Sequence, residues 1–148
     1  MAVNIQDPLI GAWFSIEFQG TVSGAFQECS GLSSENEVVE YKASGSNGEY
    51  IIKKLPGRPQ WGNITLKRGV TSDLQMWQWR EIIEKGDVDA ARKNGTLTMY
   101  STKGQPIAKW NFTNAWPTKV SGPSADATTN AVAVEELELA HEGCVRVS

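Results

Sequence analysis

The residues able to do chemistry are few. A single histidine, His141, stands beside Glu142, and two cysteines, Cys29 and Cys144, lie far apart in the chain. Nucleophilic catalysis of the Ser-His-Asp or Cys-His kind needs a base within hydrogen-bond reach of its nucleophile. His141 is the sole candidate base, and no nucleophile elbow accompanies it. One histidine and two separated cysteines also under-supply a structural zinc site. Glu135, Glu136 and Glu138 cluster without EF-hand spacing, so a solvated strand face explains them better than calcium. No pair of carboxylates stands out for glycoside chemistry. The expectation is a protein that is not an enzyme and uses no metal or cofactor.

The stretch Tyr41 to Trp61, YKASGSNGEYIIKKLPGRPQW, combines glycines with lysines and invites a phosphate reading. A P-loop requires GxxxxGK[ST] between strand and helix, so that backbone N–H groups and the lysine converge on phosphate. Here Lys53 and Lys54 sit inside an apolar run with no Ser or Thr after them, and the reading fails. Lys53, Lys54, Arg58, Lys67 and Arg68 place five of the fourteen basic residues within sixteen positions, which invites a nucleic-acid reading. Yet Glu28, Glu35, Glu37 and Glu40 precede them, and the segment near the C-terminus is acidic. Opposite charges segregated along one chain suit head-to-tail self-association better, a contact that closes into rings or grows into filaments. Six tryptophans could stack on sugars, but Trp77 and Trp79 share a helical segment and Trp110 alternates with Ala108 and Phe112, so packing accounts for most of them.

The elements that must carry these residues are mainly strands. The chain has 148 residues, 40% hydrophobic and 21% charged, with a net charge of -3, which fits one globular domain with no electrostatic pull toward DNA or acidic membranes. The sequence shows no signal peptide and no apolar run of the ~20 residues that span a bilayer, so a cytosolic product without a membrane anchor is expected. The Asn-x-Thr triplets at Asn63, Asn94 and Asn111 then carry no glycan. Period-two alternation marks Ala12–Phe18, Phe26–Cys29, Glu37–Ala43, Glu49–Leu55, Asn63–Arg68, Thr96–Ser101, Ile107–Asn114 and Ala131–Ala140 as strands separated by turn signals. They predict an antiparallel β-barrel or sandwich.

Two places break the pattern. TSDLQMWQWREIIEKGD reads as a flanking helix over about 71–85, with Thr71, Ser72 and Asp73 as N-cap candidates and Gly86 closing it. Met76, Trp79, Ile82 and Ile83 gather on one arc, while Leu74 and Trp77 fall outside it, to be covered by a loop or by a neighbouring subunit. In NAVAVEELELAHE, Val132 and Val134 share a face with Glu136 and Glu138, while Leu137 and Leu139 lie opposite. Either a bulge sits near Glu135, or the strand serves the core at one end and an interface along the other.

Taken together, DPLIGAWFSIEFQG, FQECSGLSSENEVVEYKASG, KKLPGRPQWGNITLKRGVTSDLQMWQW, WNFTNAWPTKVSGPS and AVAVEELELAHEG, in this order and nearly end to end, resemble the contractile-tail inner tube proteins. The likeness is to the T-even-like phage tail tube family and its relatives in extracellular contractile injection systems. The resemblance implies a β-barrel or sandwich with a flanking helix, six copies to a ring, and rings stacked into a hollow tube that a contractile sheath drives into a target. Implied partners are further copies of the chain, the sheath, baseplate or initiator and tube-terminator proteins, and a protein or DNA payload in the lumen. The family's long loop to the adjacent ring maps to about 43–59. Its contact residues would be Ala43, Ser44, Gly45, Ser46, Asn47, Gly48, Glu49, Tyr50, Lys53, Lys54, Leu55, Pro56, Gly57 and Arg58, with Lys53, Lys54 and Arg58 as an electrostatic grip. Leu74, Trp77, Val132, Val134, Leu137 and Leu139 would serve contacts within a ring. The bacterial cytoplasm is the implied site of synthesis, with assembly into a phage tail or tail-like particle. A baseplate tube-initiator of the same particle and, from another class, a carbohydrate-binding β-sandwich are the alternatives.

Overall fold

The computed structural model describes residues 11–18, 21–123 and 133–148. Among the described residues ten strands and two helices follow in chain order: β1 (Trp13–Phe18), β2 (Thr21–Phe26), β3 (Glu28–Ser30), β4 (Ser34–Ser44), β5 (Tyr50–Trp61), β6 (Ile64–Gly69), α1 (Gln75–Glu84), α2 (Val88–Ala91), β7 (Lys93–Tyr100), β8 (Pro106–Ser121), β9 (Val134–Ala140) and β10 (Gly143–Arg146). All strand pairings are antiparallel, and the main sheet runs β2-β1-β7-β8-β9-β6-β3, with β10 also on β8. The fold is mainly β with a flanking helix, as the sequence predicts, and α2 adds a second, short helix that the sequence reading lacks.

Two strands turn the corners that make this sheet a barrel-like sandwich. β8 pairs with β7 along its first half and hands over to β9 at Trp116, across an irregularity between Pro117 and Lys119. β2 pairs with β1 and runs through Gln27, whose N–H donates to the Lys67 carbonyl, into β3, which pairs with β6. Each corner lets one chain stretch serve both layers.

Ile16, Phe18, Phe26, Ile64, Leu66, Leu97, Phe112, Ala115, Leu137 and Leu139 fill the space between the layers. Met76 and Trp79 of α1 and Ala91 of α2 close the open end. Phe18 meets the rings of Trp79 and Phe112 edge-on, the geometry favoured by aromatic quadrupoles. The Trp79 Nε1–H donates to the Ala91 carbonyl, tying the two helices together.

The helix begins later than its sequence suggests. Leu74 occupies the N-cap position without a side-chain cap; Asp73 sits one residue upstream, its carboxylate accepting from the Gln75 N–H and its own N–H donating to the Thr71 hydroxyl. Asp73 therefore spends its oxygen on the loop's turn. At the far end Gly86, with φ of +86°, donates to the Ile83 carbonyl while Asp87 donates to that of Ile82, a Schellman ending. Met76 and Trp79 are buried and Ile82 and Ile83 half-buried against the core, the arc that the sequence marks.

Candidate self-assembly surfaces

The residues of the 43–59 segment do not form an extended loop. Ala43 and Ser44 end β4, Tyr50 to Arg58 lie in β5, and only Gly45, Ser46, Asn47, Gly48 and Glu49 connect them. Gly45 accepts from the Gly48 N–H and donates to the Glu49 carbonyl, and Gly48 takes φ of +77°, where glycine is unstrained. β4 and β5 form a separate two-stranded sheet. A bulge opposite Glu37 absorbs the extra residue at Gly57–Arg58, so the Pro-Gly-Arg-Pro run stays within the ladder rather than ending it. At roughly 3.3 Å per residue, the twelve residues of β5 reach about 40 Å. The strands pack on each other rather than on the barrel.

What this hairpin shows to its surroundings is apolar. Val38, Val39, Tyr41, Tyr50, Ile51, Ile52 and Leu55 are seven of the thirteen exposed large hydrophobic side chains among the described residues, and Tyr50 is 87% exposed. Alternation puts Val39, Tyr41, Ala43, Ile51, Lys53 and Leu55 on one face, and Val38, Glu40, Lys42, Ile52, Lys54 and Pro56 on the other. A two-stranded sheet alone is at best marginally stable in water, so a hairpin with apolar groups on both faces is built to be covered.

The residues of the expected electrostatic grip, Lys53, Lys54 and Arg58, lie on β5 opposite an acidic β4. Lys54 lies across from Glu40, and Gln60 donates to the Glu37 carboxylate 2.9 Å away. Between Ser34 and Trp61 four acids (Glu35, Glu37, Glu40, Glu49) balance four bases (Lys42, Lys53, Lys54, Arg58). The acidic and basic segments that are separate in sequence are folded onto each other. Of the remaining basic residues in that cluster, Lys67 faces Glu28 at 3.7 Å across β3–β6, and Arg68 is buried.

The hairpin is anchored at its base. Gly31 has φ of +86°, and a Cβ there would collide with the Asn63 carbonyl oxygen. Ser33 donates to the Gly31 carbonyl and accepts from the Gly62 N–H. The His141 Nε2 lies 3.0 Å from the Gly62 carbonyl, so the one histidine braces this junction.

A second apolar surface lies at the other end of β6. Val70, Leu74 and Val134 are exposed, Leu74 at 58%. The Val70 N–H donates to the Ala133 carbonyl, and Gly69 pairs with Val134. Beside them Trp77 is half-buried, its ring near Gly122 and its Nε1–H donating to Glu135 at 3.3 Å. The chain itself thus covers part of Trp77, while Leu74 stays open. Val132 lies outside the described residues. Leu137 and Leu139 are 1% and 0% exposed and belong to the core, not to an interface.

β9, whose sequence changes its apolar side midway, has no bulge against β6; its register is continuous from Ile64–Leu139 to Gly69–Val134. Glu135 points inward with Leu137 and Leu139, and directly opposite it Arg68 points inward with Ile64 and Leu66. Arg68 Nε and Glu135 Oε2 are 3.3 Å apart, and both side chains are almost wholly buried. Arg68 also approaches the Asp73 carboxylate at 3.7 Å, donates to the Asp73 carbonyl, and lies over the Phe26 ring at 5.5 Å. This node, absent from the sequence reading, fixes the loop before α1 to the barrel. Its signal was present: two strands each carry one charge of opposite sign at a core-facing position.

Cys29 and Cys144 are free and half-buried, and burial, helped by the neighbouring Cys144, pushes the Cys29 thiol up to about 12. An inert neutral thiol is the consequence. Among the described residues no three His, Cys, Asp or Glu side chains come together as metal ligands, and no helix is long and apolar enough to cross a membrane. The cleft of about 220 Å³ beside α1 is lined by Phe18, Met76, Trp79, Ile82 and Leu137, and Lys93 is its one titratable group.

Solved structures resemble this chain along its whole length. In the anti-feeding prophage tube-terminating cap a chain is 27% identical, with a TM-score of 0.81 covering 100% of this chain and 96% of that one. In the sheath-tube complex of the extracellular contractile injection system PVC in its extended state, the values are 28%, 0.80, 97% and 94%. In the PVC sheath/tube terminator they are 29%, 0.77, 99% and 100%. No curated protein matches the sequence. The family model of the T4-like virus tail tube protein gp19 matches residues 11–145, and the chain belongs to that tail tube family.

Proposed function

We propose that six copies of this chain form a ring and that rings stack into the hollow inner tube of a contractile particle, expelled by sheath contraction to puncture a target and carry a payload. The observation that carries this reading is the β4–β5 hairpin, a long, net-neutral arm that leaves the barrel with apolar groups uncovered on both faces. The hairpin is the element suited to reach the next ring, and the Leu74–Val134 surface offers a second contact. The work is mechanical: many weak repeated contacts make a stiff tube through avidity, and the chain needs no catalytic residue, metal or cofactor. The sheath, a baseplate initiator and a terminator are its partners, and protein or DNA its cargo. Synthesis is cytoplasmic, followed by assembly into the particle.

A second reading follows from the likeness to a chain of the anti-feeding prophage baseplate, 21% identical with a TM-score of 0.76, which shares the fold. In it the chain forms a single initiating ring. Negative-stain microscopy of the purified protein separates the readings. Six-fold rings that grow into tubes support the main-tube role; rings that stop at one layer support the initiator. A monomer that persists at high concentration with its particle partners present, and that binds glycans instead, sinks both.

A further inference from the structure

Two Asn-Gly pairs occur in the sequence, Asn47–Gly48 and Asn94–Gly95. An asparagine side chain before glycine is open to attack by the backbone nitrogen that follows it, because no Cβ on the next residue shields that nitrogen. The structure treats the two pairs differently. Asn94–Gly95 lies inside β7, where Gly95 is paired with Phe18 of β1 on one side and Phe112 of β8 on the other. A Cβ at Gly95 would come within 2.6 Å of the Glu17 carbonyl oxygen and of the Phe112 ring, so this peptide has no room to swing. The Asn94 side-chain oxygen also accepts from the Asn114 N–H at 3.0 Å, which holds the amide in place. Asn47–Gly48 sits in the open. Both residues are exposed in the turn between β4 and β5, and a Cβ on Gly48 would meet nothing within 4 Å. The Gly48 N–H donates to the Gly45 carbonyl at 3.1 Å, a bond at the tip of the hairpin rather than within a ladder.

We propose that Asn47–Gly48 is a site of self-modification, at which the turn of the hairpin deamidates in the folded chain while Asn94 is spared. The Gly48 nitrogen gives its proton to hydroxide and attacks Cγ of Asn47. The new C–N bond expels the side-chain nitrogen, which takes a proton from water and leaves as ammonia, returning the hydroxide and closing a succinimide ring. Water then adds to one of the two ring carbonyls and opens the ring, giving aspartate or isoaspartate at position 47. The only co-reactant is water. The product carries one more negative charge, so the four acids and four bases of the hairpin no longer balance. Isoaspartate also routes the main chain through its Cβ. That lengthens a turn closed by the bonds from Gly48 to Gly45 and from Gly45 to Glu49, next to the Ser44–Tyr50 end of the ladder. The inference goes beyond the tube reading and does not depend on it.

The test incubates the purified chain at mildly alkaline pH, at a concentration that sedimentation shows to be too low for assembly. Samples taken over time are digested, and peptide mass spectrometry reads the loss of ammonia and gain of water at each asparagine. The same protein in denaturant gives the rate of each Asn-Gly pair without structure. In native protein Asn47 is expected to react within about tenfold of its denatured rate, as an exposed turn opens at little cost. Asn94 is expected to lag its denatured rate by on the order of 100-fold or more, because it must wait for β7 to open. Asn47→Gln, whose longer side chain would have to close a larger and slower ring, should abolish the change at the turn and leave Asn94 as it was. Asn47 that stays intact in native protein while it reacts in denaturant overturns the proposal, and so does Asn94 that keeps pace with it. Both results leave the tube reading standing, since that is decided by whether rings and tubes form.

Discussion

Arg68 and Glu135 show how a single residue pair can hold the frame on which the assembly surfaces are mounted. The two charges are withdrawn from water and satisfied by each other, by Trp77 and by Asp73. Removing one of them leaves the other buried and uncompensated, so Arg68→Ala should cost about 3–5 kcal/mol of stability in chemical denaturation. Arg68→Met paired with Glu135→Leu should cost far less, since an apolar pair of similar size needs no counter-charge. Period-two alternation alone places both residues inward. A strand read by itself makes Glu135 look like a bulge or a solvated face, because its partner is 67 positions away. Cys29 is a second residue-scale case. Its thiol, raised from 9.0 to about 12 by burial, holds a thiolate fraction at pH 8 on the order of 1000-fold below that of a free thiol. Alkylation of Cys29 in native protein, followed by mass spectrometry, should therefore be slower than in denatured protein by two to three orders of magnitude or more. The sign for stability follows: above pH 9 only the unfolded chain ionises this thiol, so its contribution to stability falls as pH rises from about 9 toward 12.

Among the elements, α1 and the hairpin differ in how openly the sequence displays them. The helix arc of Met76, Trp79, Ile82 and Ile83 and the closing Gly86 are local signals and stand where the periodicity puts them. Its start is displaced because Asp73 serves both the turn and Arg68. Gly86→Ala forces a Cβ into a left-handed position and should cost about 1 kcal/mol, read as a lower thermal midpoint, while the far side of the barrel stays unchanged. The hairpin hides for a different reason. Pro56, Gly57 and Pro59 punctuate a sequence as loop residues do, and only an edge strand with a bulge tolerates them. Its charges mislead in the same way, because cancellation between Glu40 and Lys54 depends on a pairing that the linear order does not show. Lys54→Glu sets two carboxylates across one ladder and should destabilise the hairpin by roughly 0.2–1 kcal/mol. Ile51→Asp removes a contact surface instead, so the two variants should separate in a sedimentation assay of assembly, with the Ile51 variant far more defective.

For the whole molecule, the family membership and barrel architecture were legible from ordered motifs spread over the chain, whereas the identity of the surfaces was not. Surfaces come from strands brought into register, and Leu137 and Leu139 entered the core for that reason. A chain held together by apolar contacts between copies should be stabilised by its own concentration, so the thermal midpoint should rise as protein is added. The net-neutral hairpin adds that tubes should persist when salt is raised from about 0.1 M to 1 M, where the Debye length shrinks from ~10 Å to ~3 Å. Dissolution at the higher salt would show that charge, not apolar contact, holds the stack.

Pro56 and Pro59 have a bearing on the supply of subunits before assembly. They supply no N–H to the β5 edge, and Glu35, Glu37, Glu40 and Lys42 space charges along β4, the other edge. A strand arriving from the side finds an interrupted row of donors or a charged rim, so sideways accretion into fibres is starved. Contact through the faces, which relies on side chains, is untouched. On the proposed assembly, the hairpin would be adhesive in the direction that extends a tube and inert in the direction that would precipitate the pool, so that unassembled copies would accumulate to the levels that a long tube consumes.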